Sequence, residues 1–164
     1  MITLKRLKLE DIEYFSKWWR DPVLRKLTSG VLKPISDQEI KKYFQEMLAN
    51  KTEYHFLILL NQKKAIGHIA FRGRKDKSCE TQIIIGEKKY WGKGYGTKAI
   101  KLGLGEISKH NYKKVYLEVR PENLRAIKAY KNCGFRPIGL KRYPKNKFLP
   151  VVLKMSLGPK SEDI

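Results

Sequence analysis

The chain has 164 residues, enough for one domain with a sizeable core. Lys and Arg number 36 against 16 Asp and Glu, and the resulting net charge of +20 favours anionic partners and disfavours a polycation. No apolar run approaches a membrane span, and the early charges of Met1-Ile2-Thr3-Leu4-Lys5-Arg6 do not read as a signal peptide.

Residues 3–7 can form a first strand. Glu10-Asp11 opens an amphipathic helix carrying Ile12, Phe15, Trp18 and Trp19, which Asp21-Pro22 ends or bends. Residues 23–35 read as a loop or broken helix punctuated by Ser29-Gly30 and Pro34. Ser36-Asp37-Gln38-Glu39 is a capping box. The helix it starts has Ile40, Tyr43, Phe44, Met47 and Leu48 on its apolar side. Residues 54–60 form a strand, Asn61-Gln62-Lys63 turns it, and residues 64–72 return as the second arm of a hairpin.

A polar turn leads into the stretch around which the rest is arranged. Ile83, Ile84 and Ile85 belong to a central strand. The glycine-rich turn Gly92-Lys93-Gly94-Tyr95-Gly96 follows, and then a helix with Ile100, Gly103, Leu104 and Ile107 on one face. Alternate glycines permit positive φ and let another molecule approach the main chain closely. The first amides of a helix lack internal partners and sit at the positive end of its dipole, so a diphosphate suits this loop. Lys88, Lys89, Lys93 and Lys98 add positive charge nearby. A nucleoside-triphosphate loop needs Gly-Lys-Ser/Thr, but the order here is Gly96-Thr97-Lys98. A dinucleotide fingerprint needs its third glycine three residues after the second, and Gly96 comes only two after Gly94.

Residues 114–119 form the next strand. Pro121-Glu122-Asn123 ends it and starts a helix that runs to about residue 131, with Gly134 as its stop. Residues 136–143 and 147–157 read as a final hairpin, and 159–164 as a tail. Strands and helices interleave as a mixed α/β sheet covered on both faces, in a single domain over 1–158. Cys79 and Cys133 lack metal spacing and read as reduced structural thiols in a cytoplasmic protein.

Trp91-Gly92-Lys93-Gly94-Tyr95-Gly96-Thr97 resembles the acetyl-coenzyme A pyrophosphate loop of the GCN5-related N-acetyltransferases (GNAT). Its wording is closest to the branch containing the RimJ and RimL ribosomal-protein N-terminal acetyltransferases. Trp91 stands where the broad pattern has Gln or Arg. A second motif, Asn123-x-x-Ala126-x-x-x-Tyr130-x-x-x-Gly134-Phe135, matches the family at all its fixed positions. The resemblance implies the acyl-CoA N-acyltransferase fold, with six to seven strands flanked by about four helices. The central strand and the 114–119 strand are then expected to splay apart around the thioester arm. It further implies acetyl-CoA as co-substrate, no metal, Asn123 on the pantetheine arm, Ala126 packed close to the cofactor, and Tyr130 near the sulfur.

Transfer to an amine raises two proton problems. Deprotonating a lysine side chain of pKa ~10.4 near pH 7 costs roughly 4.6 kcal/mol, against about 1 kcal/mol for an α-amine near pKa ~7.8. The leaving thiolate gains from a positioned phenol, a role assigned here to Tyr130 as general acid. Glu80, alternating with Gln82 and Ile84 on one strand face, is the candidate general base, ahead of Glu118 and His68. No Ser-His-Asp or Cys-His arrangement is evident, so direct transfer is preferred to a covalent intermediate. Main-chain groups of Ile83, Ile84 and Ile85 are expected to pair with pantetheine, and Trp91 through Thr97 to hold the diphosphate.

The expected acceptor is a protein N-terminal α-amine. The alternatives are a small amine (aminoglycoside, amino sugar or amino acid) and a non-catalytic basic module that binds RNA or ribosomes. The basic surface suits docking on a ribosome or acidic protein, or is simply solvated. A membrane partner is not expected, and the protein is a monomer or homodimer.

Overall fold

In the computed structural model the described residues are 1–158, and the expected tail over 159–164 lies outside them. β1 (Ile2–Arg6) precedes three helices, α1 (Ile12–Arg20), α2 (Pro22–Leu27) and α3 (Asp37–Ala49). Three strands follow, β2 (Glu53–Leu60), β3 (Lys64–Gly73) and β4 (Ser78–Ile85). Then come α4 (Tyr95–Ile107), β5 (Lys114–Val119), α5 (Leu124–Lys131), β6 (Arg136–Arg142) and β7 (Val151–Leu157). The seven strands form one sheet in the order β1-β2-β3-β4-β5-β7-β6, and only β4 and β5 run parallel.

Local chemistry explains most boundaries. The Ser36 hydroxyl accepts from the Glu39 N–H at 3.2 Å, and the Glu39 carboxylate accepts from the Ser36 N–H at 2.8 Å. That reciprocal pair starts α3 where the capping box predicts. The segment read as loop or broken helix begins as α2, because Asp21 accepts from the Val23 and Leu24 amides and Pro22 occupies the first turn. Helix α3 packs through a narrower stripe than expected: Ile40 and Phe44 are buried, while Tyr43 and Leu48 stay 45% and 37% exposed. The last two strands do pair, but β7 lies inside the sheet between β5 and β6. Val152 and Met155 are buried on opposite faces of β7, whereas Arg136, Pro137, Lys141 and Arg142 suit β6 to an edge.

Helices cover both faces of the sheet, as expected. Ile69, Phe71, Ala99, Ile100, Leu117 and Ile127 belong to one core, under α4 and α5. Phe15, Trp18, Leu24, Phe44, Leu57 and Ala65 form the other, under α1, α2 and α3. Gly86, just after β4, permits this second packing, since a Cβ there would sit 2.3 Å from the Trp18 indole. Cys79 and Cys133 are free, and burial raises the Cys79 thiol to about 11. Among the described residues no helix is long and apolar enough to cross a membrane.

Behind α1 lies a buried polar chain. His55 Nδ1 and His68 Nε2 are 3.0 Å apart, and His55 Nε2 lies 2.8 Å from Glu53 Oε2. Arg72 flanks Glu53 at 3.4 Å, and the Phe15 ring meets His68 edge-on with centroids 4.8 Å apart. Burial lowers the pKa of both imidazoles, of His68 most. The unfolded chain therefore takes up protons near pH 6.5 that the folded chain refuses. Stability should be fully present above about pH 6.5 and fall as the pH drops below it. Thermal melts between about pH 8 and pH 5 check this, and His68→Gln should flatten the acid limb.

Candidate active site

Register decides where the sheet opens. β4 and β5 pair only at Ser78 with Lys114, Cys79 with Val115 and Glu80 with Tyr116. Beyond Glu80 the strands diverge, while Ile83, Ile84 and Ile85 keep their β3 partners. A strand with one edge released offers main-chain groups to an extended ligand.

A cavity of about 530 Å³ occupies the gap on the α4 and α5 side. Ile83, Ile84 and Ile85 form one wall, Asn123 and Ala126 another, and the glycine turn closes one end through Trp91, Gly92, Gly94, Tyr95, Gly96 and Thr97. Gly92 and Gly94 hold φ of +72° and +76°, a region that glycine enters without a steric penalty. An added Cβ at either would meet nothing within 4 Å. Helix α4 starts at Gly94 without a side-chain cap, leaving its first amides to the cavity end.

Trp91 ties this turn to the strand. Its indole N–H donates to the Ile85 carbonyl at 2.7 Å, and the Arg125 guanidinium lies 3.5 Å from its ring centroid. Arg125 lines the cavity with no ion pair among the described residues, and burial lowers its pKa. Sequence reading missed Arg125, whereas Leu24, Leu27 and Thr28 on the opposite wall come from the 19–35 stretch expected to supply the acceptor pocket. Arg125 lies inside the second motif, so its spacing was a usable signal.

Asn123 caps α5, accepting from the Ala126 N–H at 3.3 Å. Two expected residues do not line the cavity. The Lys93 ammonium sits 5.6 Å from the Tyr90 ring centroid, drawn to its π face. Tyr130 lies behind the wall, 5% exposed, with its hydroxyl against the Ile83 main chain. Burial raises its pKa, so the phenol stays protonated.

A second cavity of about 420 Å³ abuts the first, and the two share Leu24, Thr28 and Ile84. Glu80, Gln82 and Ile84 line it in the alternation expected of one strand face, and Glu118 and Arg120 extend it from β5 and the turn after. Trp18, Trp19 and Arg25 come from α1 and α2. The Glu80 carboxylate is held by Arg74, which limits it as a base. Glu118 accepts from the Tyr143 hydroxyl at 2.8 and 2.7 Å and lies 3.4 Å from the Lys141 ammonium. His68 lines neither cavity: it packs against Phe15 and pairs with His55, away from both, which removes it as a base.

Comparison with known proteins agrees with this geometry. The family described as acetyltransferase (GNAT) domain matches residues 1–136. An uncharacterized protein of Methanocaldococcus jannaschii is 24% identical over 138 residues, 82% of this chain and 28% of the relative. The chain thus spans less than a third of that protein's length. A spermidine N(1)-acetyltransferase of Vibrio cholerae is 30% identical over 103 residues, 61% of this chain and 59% of the relative. The crystal structure of an aminoglycoside acetyltransferase, AAC(6′)-Ib with coenzyme A, superposes with a TM-score of 0.79 at 20% identity, covering 96% of this chain and 95% of that one.

Proposed function

Because the chain belongs to the GNAT acetyltransferase family, we propose that it moves an acetyl group from acetyl-CoA to the primary amine of a small molecule, by direct attack in a ternary complex. The observation that carries this reading is the pair of abutting cavities at the β4–β5 gap. The cofactor takes the first, its diphosphate at the glycine turn and its pantetheine arm along Ile83, Ile84 and Ile85. The acceptor takes the second, and the two meet at Ile84, Leu24 and Thr28.

The size of the second cavity and relatives named for spermidine and aminoglycosides support a small acceptor over the protein N-terminus first expected. Glu118 and Glu80 stabilise the arriving ammonium, and Glu118 takes its proton directly or through water, Glu80 being tied to Arg74. Main-chain N–H groups on the released edge of β4 stabilise the tetrahedral oxyanion. Tyr130 donates toward the departing thiolate at the Ile83 position.

Release of free coenzyme A, followed by thiol titration over a panel of polyamines, aminoglycosides, amino acids and short peptides, tests the reading. Turnover on at least one small amine is expected. Turnover confined to peptides with a free N-terminus would restore the protein-acceptor reading, and no turnover with any amine would remove both.

A further inference from the structure

Resting on that reading, we propose that the acceptor carries an acidic group beside its amine, and that Arg25 on α2 receives it. Among the described residues four formally charged side chains line the second cavity: Arg25, Glu80, Glu118 and Arg120. Three are already engaged. Glu80 is paired with Arg74, and Glu118 is held by Tyr143 and Lys141. Arg120 donates from Nε to the Thr28 carbonyl at 3.0 Å and from Nη2 to the Phe148 carbonyl at 2.8 Å, with Glu122 at 3.7 Å from Nη1.

Arg25 is different. Among the described residues its guanidinium has no hydrogen-bond or ion-pair partner. The Glu39 carboxylate feels its field but makes no ion pair with it, accepting instead from the Ser36 N–H at 2.8 Å and the Ser36 hydroxyl at 3.0 Å. A planar guanidinium with its donors free suits a carboxylate or a comparable oxyanion, which it can bind through two parallel hydrogen bonds. The same cavity has carboxylates on its strand side, where an ammonium is stabilised. Each carboxylate is offset by a neighbouring cation, so the cavity has no surplus negative charge for a polyamine. The net charge of +20 acts in the same direction, concentrating anionic and zwitterionic solutes and repelling polycations. The acceptor class is therefore an amino acid or a related amine with an acidic substituent.

The test is steady-state acetylation, with the full chain and acetyl-CoA, of free L-amino acids, their carboxamides and spermidine at low and high salt. For at least one amino acid, kcat/KM should exceed that of its carboxamide by about ten-fold or more, the increment expected for a hydrogen-bonded charge. The carboxamide has the more acidic ammonium, so amine basicity cannot produce this preference. Salt should narrow the ratio, Arg25→Gln should bring it close to one, and Arg25→Lys should retain part of it. Carboxamides or spermidine acetylated as well as every amino acid, or Arg25→Gln slowing acid and carboxamide in equal proportion, would overturn the proposal and leave the acetyltransferase reading standing. Failure of the chain to bind acetyl-CoA by calorimetry would instead remove that reading and this inference with it.

Discussion

Gly94→Val should weaken coenzyme A binding by about a hundred-fold or more, equivalent to about 2.7 kcal/mol. Gly94 has φ +76°, where a β-branched residue is strained, and the left-handed region costs a non-glycine residue roughly 1–2 kcal/mol. The added side chain would also project into open space, with nothing of the protein within 4 Å of its Cβ. That open space is the end of the cavity where the diphosphate must approach the amides of α4. The backbone strain should lower the melting temperature, while the side chain in the open space should weaken affinity. Calorimetry with coenzyme A and a parallel thermal melt separate the two. Affinity within about three-fold of the parent would place the diphosphate elsewhere.

Tyr130→Phe should lower kcat by about a hundred-fold, at the lower end of general acid catalysis, with the KM for acetyl-CoA within about two-fold. The hydroxyl is the only group removed. The ring keeps its volume, its burial and its edge-on contact with Phe135 at 5.8 Å between centroids. Burial holds the phenol protonated, the state a proton donor needs, and its position against the Ile83 main chain puts it beside the strand that lines the first cavity. A fall in melting temperature with kcat preserved, or equal losses in kcat and cofactor affinity, would assign Tyr130 to packing alone.

These two residues show how differently one reading can end. Gly94 was legible as a position because its conformation is a property of the chain within two or three residues. Tyr130 was legible as a motif member, yet its depth behind the cavity wall depends on β4, β5 and Phe135 together. Lys93 belongs to the glycine turn in sequence, but in space its charge goes to the ring of Tyr90. Trp91, a departure from the broad pattern, acquires its role from a carbonyl six residues earlier and a guanidinium on another helix.

The seven strands, the capping box, the uncapped start of α4 and the helices on both faces follow from short-range physics. Alternation, capping and positive φ operate over one or two turns of chain, so the linear order of residues carries them. The make-up of the second cavity does not follow from that order. Arg120 grips the Thr28 carbonyl 92 residues away, and Glu118 meets Tyr143 across β7. Whether Arg25 is left free depends on which carboxylates the folded sheet has already given to other cations. Such pairings are set by where packing brings distant strands and helices, and no local pattern encodes them.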